Sequence, residues 1–205
     1  MNTTVILANG DFPKHKTPLK ILKDASTIIC CDGAINKLEA LDIIPTLIIG
    51  DMDSISKKLK AKYKSQLLKI KTQNENDLRK AINWLEQNNY QSAIILGATG
   101  NREDHSLGNI FTLLEYPSTI NLKIVSDYGE FSVINKRTTL KSFCGQQISL
   151  FSKNSKIKIS SINLKYNLKN SSLNSLYSGT LNESISDFIT INISHGSILI
   201  YQLFY

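Results

Sequence analysis

The sequence predicts an α/β protein in two parts: a parallel-sheet α/β domain over residues 1–130, then an antiparallel β-sandwich domain over 131–205. Three observations predict it. Apolar runs alternate with helical patterns as far as about residue 127. Those runs are continuous in apolar character, as strands buried on both faces are. Beyond residue 130 the segments become short, isoleucine-rich and often alternating, separated by Asn, Ser, Gly and Lys, which is the pattern of antiparallel strands with one buried face.

In chain order, "TVILANG", "STIICCDG", "TLIIGDMD", "SAIILGATG" and "LKIVSD" read as strands. Amphipathic segments lie between them. In "DLRKAINWLEQNN" Leu78, Ala81, Ile82 and Leu85 recur at helical spacing, and Asp77 stands where a helix cap is expected. In "HSLGNIFTLLEY" Leu107, Ile110, Phe111 and Leu114 recur in the same way, and Trp84 falls on the flank of the earlier "DLRKAINWLEQNN" pattern as a packing residue. Strand and helix in alternation argue for a parallel sheet. The later segments "FSVIN", "QISLFS", "KIKISSINLKY", "DFITINIS" and "SILIYQLFY" supply the sandwich. There is no internal repeat and no long linker.

Composition narrows the class. The 205 residues are 41% hydrophobic, enough for a packed core, and contain no apolar run of membrane-spanning length. The start "MNTTVILANG" lacks a secretory pattern, so the expected address is the cytoplasm. Cys30, Cys31 and Cys144 lack metal-ligand spacing and read as buried reduced thiols. The net charge of +7 is concentrated late: no acid lies between Glu130 and Glu183, while Lys136, Arg137 and six lysines do. A solvated face explains this block better than nucleic acid, for which there is no recognisable binding motif.

The chemistry collects at strand ends. Asn9-Gly10, Asp32-Gly33, Gly50-Asp51 and Gly97 each follow a predicted parallel strand. In an open α/β sheet such ends share one edge, where ligands bind. Asp32, Asp51, Asp53, Asp77 and Asp104 therefore become neighbours in space, although any one alone would read as a helix cap. In extended backbone Asp51 and Asp53 would point to one side, and their mutual repulsion calls for a hard cation such as Mg²⁺. The stretch "GATGNREDHSLGN" adds Gly97 and Gly100 for close backbone approach, a helix start suited to phosphate, and Arg102 to grip phosphate oxygens. Locally, Arg102 and Asp104 also read as a surface ion pair, and His105 as a structural hydrogen-bonding residue. Acids for a cation beside a basic, glycine-bearing loop make a phosphoryl-transfer site.

"CDGAINKL", "LIIGDMDSI", "NDLRKAINWL" and "GATGNREDHSLGN", in this order, resemble the thiamine pyrophosphokinase family, and "LKYNLKNSSL", "GTLNES" and "SHGSILI" resemble its thiamine-binding domain. The resemblance covers nearly the whole chain. It implies Mg²⁺-dependent transfer of pyrophosphate from ATP to the hydroxyl of thiamine, giving thiamine pyrophosphate and AMP, by a homodimer whose active sites lie between subunits. By motif position it implies Asp51, Asp53 and Asp77 as metal ligands, with Asp104 completing the catalytic acids and helping to activate the thiamine hydroxyl. Arg102, Gly97 and the backbone around Gly100 would hold phosphate, Asp32, Gly33 and Asn109 would line the nucleotide site, and Asn182 would lie near thiamine. The chain departs from the family pattern at Ala34, at Thr46 and at Leu181, which stands where a serine is common.

Two other readings compete. A haloacid-dehalogenase-like phosphatase also places DxD after a strand, with the first Asp as a covalent nucleophile. Its motif prefers Thr or Val where Ile55 stands, and usually the first strand rather than the third. A basic nucleotide- or RNA-binding module would use the late lysines, would weaken steeply with salt, and would not need the acids.

Overall fold

The computed structural model describes residues 3–72, 74–116 and 120–205. These fall into two compact units, one of residues 3–112 and 120–127, the other of 113–116 and 128–205. No helix among the described residues is long and apolar enough to cross a membrane.

The first unit holds six parallel strands: β1 (Thr4–Leu7), β2 (Thr27–Cys31), β3 (Leu47–Gly50), β4 (Leu67–Lys69), β5 (Ser92–Leu96) and β6 (Asn121–Val125). Their order across the sheet is β6-β5-β1-β2-β3-β4. The central strands are apolar without alternation because both of their faces are covered: Val5, Ile6, Leu7, Ile29, Cys30, Ile48 and Ile49 have no exposed surface. β4 was missed in the sequence because its three residues sit on the sheet edge, two half-buried and one exposed, too few for a period to emerge.

Among the described residues five helices connect the strands: α1 (Lys16–Lys23), α2 (Ile35–Glu39), α3 (Lys57–Lys62), α4 (Asp77–Gln87) and α5 (Glu103–Thr112). α4 buries Leu78, Ala81, Ile82 and Leu85 as its spacing predicts and packs on β2 and β3, with Trp84 against the Tyr90 ring. Its cap is Asn76 rather than Asp77: the Asn76 side chain accepts the Arg79 N–H at 3.0 Å, which leaves Asp77 in the first turn. α5 departs further from expectation. It buries Asn109 and Thr112, whereas Leu107 is 58% exposed and Ile110 and Phe111 are half-buried.

The second unit is a two-sheet sandwich. One sheet has the order β11-β9-β13-β7, from β7 (Gly129–Ile134), β9 (Gln147–Phe151), β11 (Asn182–Glu183) and β13 (Ile198–Leu203). The other has the order β10-β12-β8, from β8 (Thr138–Lys141), β10 (Ile159–Ile162) and β12 (Phe188–Ile193). All neighbours are antiparallel. Isoleucines from both sheets, among them Ile134, Ile148, Ile159, Ile189, Ile191 and Ile200, meet in one buried cluster. Cys30 and Cys31 are buried and free, and burial pushes both thiols up, so they remain protonated; Cys144 is exposed, against expectation.

Candidate active site

From β1 the first sheet grows one way through β2, β3 and β4, while β5 and β6 lie on its other side. Connections therefore diverge between β1 and β5, which makes this the switch point where an open α/β sheet forms a crevice. A cavity of about 370 Å³ occupies that position, lined by Asn9 and Gly10 after β1, Asp77 of α4, and Gly100, Arg102 and Asn109 beyond β5.

The turns after β1 and β5 are tied together. Gly10 N donates to Gly97 O at 2.7 Å and Asp11 N donates to Thr99 O at 2.8 Å. A Cβ on Gly10 would stand 2.5 Å from both the Gly97 and Thr99 carbonyl oxygens, and Gly97 itself has φ of +64°, so neither position admits a side chain without strain. Lys37 of α2 donates to Gly10 O from the other side. The loop is further set by Asn109, whose amide donates to Ala98 O at 2.8 Å and accepts from Asn76 at 3.2 Å. Asn109 thus joins the loop after β5 to the cap of α4, which explains why a polar residue is buried on α5.

The acids divide into three groups. Asp32 follows β2 and is only 3% exposed; Ser54 N donates to its Oδ2 at 3.4 Å, while its Oδ1 has no hydrogen-bond partner among the described residues. Burial pushes Asp32 up to about 6, helped by the hydrogen bond its protonated form makes to Asp51 and by the charges of Asp77 and Asp51. Gly33, next in the chain, faces the Asn9 amide and Ser54. Gly50 makes room for these acids: a Cβ there would lie 2.6 Å from Asp32 Cβ and 3.1 Å from Asp77 Oδ2.

Asp51 and Asp53 form a turn rather than an extended pair. Met52 between them has φ of +71° and is buried, and Asp53 N donates to Asp51 Oδ1 at 3.0 Å. The backbone from Asp51 to Asp53 is therefore not extended, and period two does not govern its side chains. The side chain of Met52 anchors the turn in the core, Asp51 turns toward Asp32, and Asp53 is exposed.

Arg102 and Asp104 form the third group. Arg102 Nε and Nη2 donate to the two oxygens of Asp104 at 3.1 and 2.6 Å, a bidentate pair on the surface. That pairing holds the Asp104 carboxyl down to about 2, with the His105 N–H adding a 2.9 Å hydrogen bond. Ser106 Oγ accepts from Gly100 N at 3.0 Å and fixes the start of α5 to the loop.

The donor set around Asp32, Asp51 and Asp77 suits a hard divalent cation: it offers oxygen ligands only, a buried carboxylate oxygen without a partner, and like charges that raise Asp32. Among the described residues no three His, Cys, Asp or Glu side chains form a metal cage unaided. Mg²⁺ fits such a partial set, since it retains waters and takes few carboxylates alongside phosphate oxygens.

Asn182 lies in the second unit. Its Oδ1 accepts from the backbone N–H groups of Tyr166 and Glu183 at 3.1 and 2.9 Å, and its Nδ2 donates to Tyr166 O at 2.8 Å. The carboxamide thus acts as a substitute strand for Tyr166, whose ring is exposed. The preceding Leu181 has φ of +59° and is 76% exposed.

Family comparison decides the relationship. The model described as "Thiamin pyrophosphokinase, catalytic domain" matches residues 19–125, and "Thiamin pyrophosphokinase, substrate-binding domain" matches 129–201. The chain belongs to the thiamin pyrophosphokinase family. Among curated relatives of this family, thiamine pyrophosphokinase 1 of Oryza sativa subsp. japonica is 28% identical over 97% of this chain and 86% of its own length. Thiamin pyrophosphokinase 1 of Caenorhabditis elegans is 28% identical over 71% of this chain, a match that spans 65% of that protein. The crystal structure of thiamine pyrophosphokinase from Bacillus subtilis shares the fold, with a TM-score of 0.83 over 98% of this chain and 99% of that one at 22% identity. In this thiamin pyrophosphokinase family chain the sequence reading overlooked Asn76 and Lys80. Asn76 immediately precedes the helix pattern and is a strong capping type; Lys80 falls on the same helix face as Asp77, a polar position among apolar ones.

Proposed function

We propose that the protein catalyses Mg²⁺-dependent transfer of pyrophosphate from ATP to the hydroxyl of thiamine, giving thiamine pyrophosphate and AMP. The observation that carries this reading is the switch-point cavity where Asp77, Gly100 and Arg102 converge, in a chain matched along both parts by the family models. In this reading residues 1–130 form the catalytic, ATP-binding domain and 131–205 the thiamine-binding domain.

Asp51, Asp53 and Asp77 would hold Mg²⁺, which when bound neutralises charge on the phosphate oxygens. The backbone of Gly97 to Gly100 and the Arg102 guanidinium would orient the triphosphate, and Asp32, Gly33 and Asn109 would line the nucleotide site. The hydroxyl oxygen would bond to the β-phosphorus and release its proton to water, while the bond from that phosphorus to the α–β bridging oxygen breaks and AMP departs with the oxygen. A carboxylate held near 2 is a weak base, so we assign Asp104 to aiming Arg102 rather than to taking the hydroxyl proton. Asn182 would serve thiamine by fixing Tyr166. The exposed Leu107 and half-exposed Ile110 and Phe111 of α5 support an assembly with a second copy, and we place the homodimer in the cytoplasm.

Incubation with ATP, Mg²⁺ and thiamine tests the reading by chromatography. Equimolar AMP and thiamine pyrophosphate, both abolished by EDTA, are expected. ADP or free phosphate without a thiamine product would overturn it.

A further inference from the structure

Lys80 is the only lysine or arginine among the described residues that is buried, with 4% of its side chain exposed. It stands one turn into α4, and its ammonium donates to Asp77 Oδ1 at 3.0 Å. The other oxygen of Asp77, Oδ2, faces Gly50 on β3 and the space beside Asp32.

Burying an ammonium costs several kcal/mol unless it is paired and hydrogen-bonded. A lysine at the fourth position of a helix could reach solvent by extending outward, so its inward course needs a compensating anion. Asp77 supplies it through the 3.0 Å hydrogen bond, and Asp32 stands beside the same Gly50 that the other oxygen of Asp77 faces, so two acids crowd one place and the ammonium offsets their repulsion. The contact with Oδ1 also fixes the rotamer of Asp77, since a carboxylate gripped through one oxygen presents the other in a defined direction.

We propose that Lys80 is a positioning residue for the reaction: it holds Asp77 with Oδ2 toward the cation site and carries the positive charge that keeps the acids together when no divalent ion is bound. This rests on the reading of the acids as the Mg²⁺ site, and it adds a residue that touches neither metal nor substrate.

The test compares K80M and K80Q with K80R by thermal unfolding, with EDTA and with Mg²⁺, and by steady-state kinetics. In the neutral variants the acids lose their fixed counterion. Their melting temperature should fall in EDTA and recover in Mg²⁺ by more than the wild type gains. Their kcat should fall roughly 10–100-fold at saturating Mg²⁺, with KM for thiamine little changed, while K80R should restore the wild-type Mg²⁺ response. A purely structural lysine would lower the melting temperature equally in EDTA and Mg²⁺. That result, or a normal kcat in the neutral variants, overturns the assignment. If K80M does not fold, K80Q carries the comparison, because its shorter side chain keeps a polar group in the interior while removing the charge. Failure of the wild type to form thiamine pyrophosphate would instead overturn the function, so the two failures are distinguishable.

Discussion

Replacing Asp32 with Asn should stabilise the protein at neutral pH, and only there. Asp32 has a folded-state pKa of about 6 against the ordinary 3.8, chiefly because it is buried and secondly because its protonated form hydrogen-bonds Asp51. Between those two values the folded protein holds more protons than the unfolded chain. Stability therefore falls as pH rises from about 4 to about 6, and the cost is fully present above that window. A shift of about two units at roughly 1.4 kcal/mol each corresponds to on the order of 2–3 kcal/mol. Asn is near-isosteric, carries no charge, and can donate to Asp51 as the protonated acid does. In EDTA at pH 7.5, Asp32→Asn should therefore exceed the wild type by on the order of 2–3 kcal/mol, or roughly 2–4 °C in Tm for each kcal/mol. Urea unfolding of both proteins from pH 4 to pH 8 measures it. The advantage should shrink toward zero near pH 4; a difference that is constant across the range, or a variant less stable throughout, would refute the electrostatic account of this site.

Asp51→Asn and Asp53→Asn should each abolish thiamine pyrophosphate formation while circular dichroism remains that of the wild type; near-normal turnover of both at saturating Mg²⁺ would remove them from the metal site. Gly50→Ala places a Cβ 2.6 Å from Asp32 Cβ, so it should cost roughly 1–3 kcal/mol in denaturant unfolding and weaken the Mg²⁺ dependence of turnover, whereas a silent substitution would show that the acids are not closely packed there. Asn182→Ala leaves the Tyr166 backbone N–H and C=O without their side-chain partners and should cost roughly 1–3 kcal/mol, with KM for thiamine rising more than kcat falls; unchanged stability would contradict the strand-substitute role.

The two-part architecture was legible because burial leaves its mark on composition: strands covered on both faces read as unbroken apolar runs, and sandwich strands alternate. β4, β8 and β11 were not legible. β4 and β11 are only three and two residues long, and β8, "TTLK", carries a single apolar residue, so none shows a usable period. Of the five acids expected to become neighbours, Asp32, Asp51 and Asp77 come together from their positions after strands or at a helix start, since a parallel sheet brings such points to one edge, whereas Asp53 is exposed in its turn and Asp104 pairs with Arg102 on the surface. The geometry of the DxD pair was not legible. Sequence reasoning extended the strand through Asp51, whereas the pull of Met52 into the core bends the backbone into a turn. α5 misled for a related reason: its apolar spacing is real, but in this unit the buried side carries Asn109, which ties loop to helix.

The most direct test of the central claim follows the β-phosphate. With ATP labelled at the β-phosphorus, Mg²⁺ and thiamine, the account predicts that the label moves quantitatively into thiamine pyrophosphate while unlabelled AMP accumulates in equal amount. Label retained in ADP, with thiamine monophosphate or free phosphate as the other product, would contradict attack at the β-phosphorus and with it the proposed function.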